Sequence, residues 1–170
     1  DYYIYDINLQ QKSKRDEKYS ASPYAIYWSN NRYYLISSLG KHDGITHFRL
    51  DRIRNLCITD DPVKPAPKGF NPYEYATKAL FMFGGDVEHY TIRCDHRILQ
   101  DVIDRFGEKI IITDSDQDTF TAVVKATTGG MRLWAIHYLE TCRVLSPQWL
   151  VDDVKAAISR GMERYSVNVS

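Results

Sequence analysis

Over the first sixty positions, apolar and polar residues alternate in runs too short for helices. Tyr2-Tyr3-Ile4-Tyr5 reads as a strand, because aromatic and β-branched side chains suit a pleated, half-buried surface. Residues 9–18 (LQQKSKRDEK) are polar and carry both signs of charge, which predicts an exposed loop. Residues 19–28 (YSASPYAIYW) and 32–38 (RYYLISS) are strand-like, and Ser29-Asn30-Asn31 between them suits a tight hairpin, since Asn tolerates positive φ. Pro23 then belongs at a strand start or edge. Residues 45–50 (ITHFRL) and 53–59 (IRNLCIT) complete about five short strands with no room for a helix. That pattern predicts a small barrel or sandwich whose edges are closed or covered.

After position 86 the spacing changes. Tyr90, Ile92 and Cys94 alternate within a strand over 87–94, and Asp95 is placed to N-cap the helix that follows. Ile98, Leu99, Val102, Ile103 and Phe106 share one face of that helix, with Gly107 as its stop. Strands at 109–113 and 119–127 flank the acidic turn Asp114-Ser115-Asp116-Gln117-Asp118. Gly129-Gly130 opens a second helix with Met131, Trp134, Ala135 and Tyr138 on one face. Residues 142–145 form a last strand. Ser146-Pro147 then reads as N-cap and first turn of a final helix lined by Leu150, Val154, Ile158 and Met162. The order βαββαβ plus a helix predicts a ferredoxin-like α/β sandwich.

Composition separates the two blocks. Residues 1–60 hold nine Lys/Arg against seven Asp/Glu, whereas residues 86–170 hold ten against thirteen. Eight of the thirteen tyrosines fall within residues 1–34. The stretch between, DPVKPAPKGFNP, holds four of the six prolines and reads as a linker, with a short helix expected between Asn71 and Phe83. The expected division is therefore 1–60, 61–85 and 86–170. With 22 Lys+Arg and 22 Asp+Glu, net charge argues for no particular partner. No run approaches the roughly 20 apolar residues of a membrane span. Three widely spaced cysteines argue against a disulfide framework and for a reducing, cytoplasmic location.

Catalytic chemistry finds little support. Asp114, Asp116 and Asp118 have calcium-loop spacing, but the sixth and twelfth positions are Thr119 and Lys125 where Gly and Glu are required, so an acidic hairpin tip is the better reading. His42 and His47 near Asp43 lack further ligands at matching spacing, and no metal is expected. No nucleophile-elbow, zinc-protease or phosphate-loop motif occurs. Asp95-His96 offers a base pair on paper, with His96 expected exposed on a first helical turn. The chain is read as a non-enzyme without cofactor.

The arginines carry more. Along HFRLDRI, Phe48 and Leu50 point to one face and Arg49 and Asp51 to the other, with Arg52 and Ile53 entering a turn. A guanidinium is a rigid fork that fits phosphate oxygens bidentately. Tyr24 and Tyr34, on neighbouring strands, are candidates for base stacking. On residue types alone, the alternative that Arg49 merely pairs with Asp51 and the tyrosines are core stays open.

The run Asn31-Arg32-Tyr33-Tyr34-Leu35-Ile36 followed by His47-Phe48-Arg49-Leu50-Asp51-Arg52-Ile53 resembles the WYL domain family. Tyr33-Tyr34-Leu35 stands for the family's Trp-Tyr-Leu, with Tyr in place of Trp, and Ser22-Pro23-Tyr24 fits upstream. Val144-Leu145-Ser146-Pro147-Gln148-Trp149-Leu150 is similar to the end of the extension that follows such domains. The resemblance implies an Sm-like, SH3-type small barrel ahead of the ferredoxin-like part. It implies a sensory module of a bacterial transcription regulator that binds a nucleotide or single-stranded nucleic-acid ligand. Carried over by motif, the ligand residues are Arg49 and Arg52, with Ser22 and Tyr24 less directly matched. Arg32 is added from charge and position, Tyr34 from its neighbouring strand, and His47 because spacing of two puts it on Arg49's face. Such regulators place a DNA-binding helix-turn-helix ahead of the barrel; the chain opens within what reads as a barrel strand, so it is expected to be the C-terminal sensory part of a longer protein and a homodimer. The second reading is a dimerisation or protein-interaction module with no small ligand.

Overall fold

The computed structural model describes residues 1–40 and 44–166. Among the described residues the chain is a mixed α+β protein with antiparallel sheets and four α-helices. It divides into two compact units, one of residues 1–77 with 81–85, the other of residues 78–80 with 86–170.

In the first unit, β1 (Tyr3–Tyr5) and β2 (Gln11–Ser13) form a two-stranded antiparallel sheet. Their connection is organised by Asp6, whose Oδ1 accepts from the amides of Asn8 and Gln10. The expected loop over 9–18 thus contains a short strand. β3 (Ala21–Ser29), β4 (Arg32–Leu39) and β5 (Ile45–Arg49) make a three-stranded antiparallel meander. Asn30 and Asn31 turn the β3–β4 hairpin with φ of 48° and 60°, the conformation that two-residue hairpins need. A bulge between Pro23 and Ala25 accommodates the proline. An isolated antiparallel bridge pairs Tyr2, just ahead of β1, with Ile53, just after the turn that follows β5.

Among the described residues these strands do not close a barrel. The predicted strand over 53–59 is missing: after Ile53 the chain forms no ladder, and Leu56 and Ile58 are exposed. Their apolar run had the composition of a strand but meets no sheet edge to pair with. Both faces of the meander are covered in part. Ile36 packs with Ala76 of α1 (Pro72–Lys78) and with Met82, and Tyr27, Tyr34, Ile45 and Phe70 surround them. On the other face Tyr2, Tyr19 and Phe48 stack edge to face, with centroids 5.1–6.3 Å apart. Helix α1 starts where Asn71 Oδ1 accepts from the amides of Tyr73 and Glu74, with Pro72 at its first position.

The second unit runs β6 (Val87–Asp95), α2 (Leu99–Phe106), β7 (Ile111–Ser115), β8 (Thr119–Thr127), α3 (Thr128–His137), β9 (Cys142–Ser146) and α4 (Gln148–Ser166). The sheet is antiparallel throughout, in the order β7-β8-β6-β9. Alternate residues of its central strands, Tyr90, Ile92 and Cys94 on β6 and Phe120, Ala122 and Val124 on β8, are buried. Gly107 ends α2 with φ 86°, as its position predicted. At Gly130 a Cβ would lie 2.5 Å from Leu80 Cβ and from the Leu80 carbonyl, so only glycine permits this approach.

Three local expectations are corrected. Asp95 gives no side-chain cap; its carboxylate instead accepts from Arg97 Nε at 3.0 Å. Ser146 is still a β9 residue, its hydroxyl on Thr91 Oγ1, and the carbonyl of Pro147 receives the first helical bonds of α4. Along α4, Leu150 and Val154 are buried, whereas Ile158 and Met162 are 40% and 66% exposed, so only the first half of its apolar stripe packs within the unit.

Candidate functional site

The strand pairing gathers the arginines. Arg32 opens β4 opposite Ser29, Tyr34 lies opposite Tyr27 on one side and Arg49 on the other, and Arg49 closes β5. Directly opposed residues of antiparallel strands share a face, so Arg32, Tyr34 and Arg49 line one side of the sheet end. A single 3₁₀ turn, Leu50–Arg52, then brings Asp51 and Arg52 back beside them.

Asp51 is the shared acceptor. Arg49 donates from Nε to its Oδ1 at 3.1 Å and from Nη2 to its Oδ2 at 2.6 Å, a bidentate fork. Arg32 Nε stands 3.7 Å from the same Oδ2, while its Nη1 donates to the Asn31 carbonyl at 2.9 Å. Arg52 acts on the same carboxylate by its charge. Its Nε is buried and has no hydrogen-bond partner among the described residues. The fork from Arg49, with the charges of Arg32 and Arg52 added, holds the Asp51 carboxyl below its ordinary value. The same hydrogen bond raises Arg49. Two guanidinium groups, Arg49 and Arg32, thus approach one carboxylate, Arg52 adds its charge, and Arg54 Nη1 donates to the Asp51 backbone carbonyl at 2.9 Å, so this sheet end is rich in arginine. The backbone amide of Arg49 donates to the Tyr2 hydroxyl at 3.3 Å, which fixes the end of β5.

The other predicted residues are placed differently. Ser22 Oγ accepts from the Lys64 amide at 2.8 Å, and the Tyr24 hydroxyl donates to the Pro65 carbonyl at 3.3 Å with its ring 5.8 Å from Phe70. Both hold the proline-rich segment against β3. Ser22 is seven positions along β3 from Ser29, about 23 Å at the usual strand rise, so it is remote from the arginines. Tyr34 lies beside Arg49, but its ring also packs on the Ile36 cluster. His47 shares Arg49's face, yet its Nδ1 donates to the Met82 carbonyl at 2.8 Å and its ring stacks near Tyr75. Burial pushes the His47 pKa down, and Nε2 has no partner among the described residues, both of which favour the neutral ring.

Sequence reasoning named the arginines but missed two groups that arrange them. Tyr2 reaches Arg49 across 47 positions, and Met82 reaches His47 across 35; no local pattern announces such contacts.

No group of three or more His, Cys, Asp or Glu able to hold a metal is found among the described residues, and His42 lies outside them. In the acidic turn, Asp116 accepts from the amides of Asp118 and Thr119 and pairs with Arg93, which also reaches Asp114. The backbone bonds above all hold the Asp116 carboxyl at about 2. Asp95 and His96 do not form a base pair: His96 Nε2 lies 3.1 Å from Ser115 Oγ. No helix of the described residues is long and apolar enough to cross a membrane.

Comparison with known proteins gives two family matches: a WYL domain over residues 6–58 and a WCX domain over residues 86–162. None of the curated proteins matches the chain. Among solved structures, the chain is similar to proteasome accessory factor B/C (PafBC) of Arthrobacter aurescens, at 15% identity and a TM-score of 0.43, over 98% of this chain and 25% of that one. The chain therefore spans about a quarter of that protein's length.

Proposed function

Because the chain belongs to the WYL domain proteins and carries a WCX domain behind it, we propose that it is a ligand-sensing regulatory module of a bacterial transcription regulator. The ligand is a nucleotide or a short single-stranded nucleic acid. Its phosphate oxygens are received by Arg49 and Arg52, with Arg32 at the rim.

One observation carries this reading. Arg49 and Arg32 meet on the Asp51 carboxylate, and Arg52, one residue on and acting on it by its charge, has a buried Nε with nothing to donate to among the described residues. Buried donors are normally satisfied, and an unsatisfied one costs roughly 1–3 kcal/mol. A phosphate bridging Arg49 and Arg52 supplies the missing acceptor and competes with Asp51 for the Arg49 fork. Tyr34 and Tyr27 are paired beside this end and are the stacking faces proposed for a bound base. Ser22 and Tyr24 serve the site indirectly, by fixing the proline-rich segment, and His47 by anchoring Met82.

The finer architecture belongs to the same reading. For the first unit, an Sm-like arrangement left open is supported by the meander and by the bridge of Tyr2, ahead of β1, to Ile53, after β5. For the second, a ferredoxin-like sandwich is supported by the order β7-β8-β6-β9 with helices after β6 and β8. The domains divide at 1–60, 61–85 and 86–170. The module works without chemistry of its own: the ligand's different affinities for two states of a homodimer shift a DNA-binding helix-turn-helix of the longer protein. The half-packed stripe of α4, Ile158 and Met162 with exposed Tyr165, supports self-association. The same stripe suits the second reading, an interaction module without ligand.

The deciding experiment is fluorescence anisotropy of a labelled oligothymidylate against the parent chain and the Arg49→Glu, Arg52→Glu double variant. Binding by the parent and its loss in the variant, with an unchanged thermal transition, are expected. Equal binding by both rejects the arginine assignment.

A further inference from the structure

Cys94 and Cys142 are both free thiols, and they face one another across the β6–β9 ladder of the second unit. The hydrogen bonds around them define the register further. The Asp95 amide donates to the Thr141 carbonyl at 2.9 Å, which makes 95/141 a hydrogen-bonded position. The neighbouring pair 94/142 is therefore a non-hydrogen-bonded one, and accordingly the Cys142 amide turns away to the Tyr138 carbonyl at 2.7 Å. Opposed residues at such positions have Cα atoms about 4.5 Å apart, inside the roughly 4.4–6.8 Å range that a disulfide spans. As directly opposed residues of paired antiparallel strands, the two side chains leave the same face of the ladder.

We propose that Cys94 and Cys142 form a reversible dithiol site, oxidised by a peroxide to a cross-strand disulfide that ties the edge strand β9 to β6. In the first step a thiolate attacks the O–O bond of hydrogen peroxide, giving a sulfenic acid and releasing one oxygen as water. In the second, the facing thiol displaces the hydroxyl, the S–S bond forms, and the second oxygen leaves as water with the two thiol protons accounted for. Two electrons pass from the sulfurs to the peroxide.

Access and restraint are both built into the position. Cys142 is the first residue of an edge strand, 9% exposed, and follows the exposed turn at Leu139 and Glu140, whereas Cys94 is 1% exposed. The facing thiol, burial and the nearby Asp95 push the Cys142 thiol up, so its thiolate is scarce near neutral pH and the first step is slow. Because a sulfenic acid formed at either sulfur is met at once by the other, the site yields a disulfide rather than higher oxides.

The test uses the full chain with Cys57→Ser, which removes the exposed third thiol. Peroxide treatment should abolish both remaining free thiols as counted after denaturation. Peptide mapping should recover one 94–142 linkage, and dithiothreitol should restore both thiols. Oxidation should also raise the thermal midpoint, a shift absent in a Cys57→Ser, Cys142→Ala chain. Two thiols surviving peroxide that fully consumes Cys57 in the parent, or sulfinic acid at either position without the linkage, would overturn the proposal.

Discussion

Replacing Asp51 by Asn separates a phosphate site from a merely structural arginine cluster. Asp51 is half exposed and pairs with Arg49 and, at longer range, with Arg32 and Arg52. As a surface ion pair its fork with Arg49 contributes only about 0.2–1 kcal/mol to folding, so the variant should lose no more than about 1 kcal/mol. Its effect on an incoming phosphate is opposite in sign. A charge some 4 Å from the bound anion, in a water-like medium, repels it by about 1 kcal/mol, and removing it should tighten binding about fivefold. The salt response should change as well. Two uncompensated arginines predict a slope of log K against log salt near −1.4 for a single strand, and three predict about −2.1. Anisotropy titrations of an oligothymidylate over a salt series measure both quantities. Weaker binding in Asp51→Asn, of the same degree as in Arg49→Glu, would mean that the variant disorders the turn and that the electrostatic reasoning is wrong. No change in affinity or slope would mean that the anion lies elsewhere.

Gly130→Ala should lower the thermal midpoint of the second unit, because the added methyl meets Leu80 at 2.5 Å and overpacking of this kind costs about 1–3 kcal/mol; an unchanged transition would show that Leu80 moves freely. His47 has a folded pKa below 6.5, so the unfolded chain binds the proton more readily, and stability present above that pH should fall on acidification through it, with a slope of up to about 1.4 kcal/mol per pH unit. Denaturant titrations from pH 7.5 to 5 should show this slope, and His47→Gln should flatten it. Charging the half-packed stripe with Ile158→Asp and Met162→Asp should convert a homodimer to monomer in light scattering while leaving the fold intact; a mass unchanged from the parent would place self-association on another surface.

Where local chemistry decided the structure, the residues announced it. Asn30-Asn31 needed only their tolerance of positive φ, Gly107 only its freedom at a helix end, and β6 and β8 only strict alternation. The failures share a cause. Residues 53–59 had strand composition but no partner edge, and Ile158 and Met162 had helical spacing but nothing within the unit to pack on. Periodicity tells which face is apolar, not what covers it. The site divides in the same way. The spacing of Arg49, Asp51 and Arg52 was legible, because a strand running into a tight turn brings them together within four residues. The bonds of Ser22, Tyr24 and His47 to Lys64, Pro65 and Met82 span 35 to 42 positions and follow from the tertiary fold alone.

Arginine side-chain NMR gives the most direct view of the central assignment. Nε–H resonances of the chain are followed while a short oligothymidylate is added, with Arg93 and Arg97 of the second unit as internal references. The Arg52 signal should move most, since its Nε gains an acceptor, and Arg49 should follow as its fork passes from Asp51 to phosphate. Stationary Arg49 and Arg52 signals at saturating ligand, with shifts confined to Arg93 or Arg97, would contradict the account.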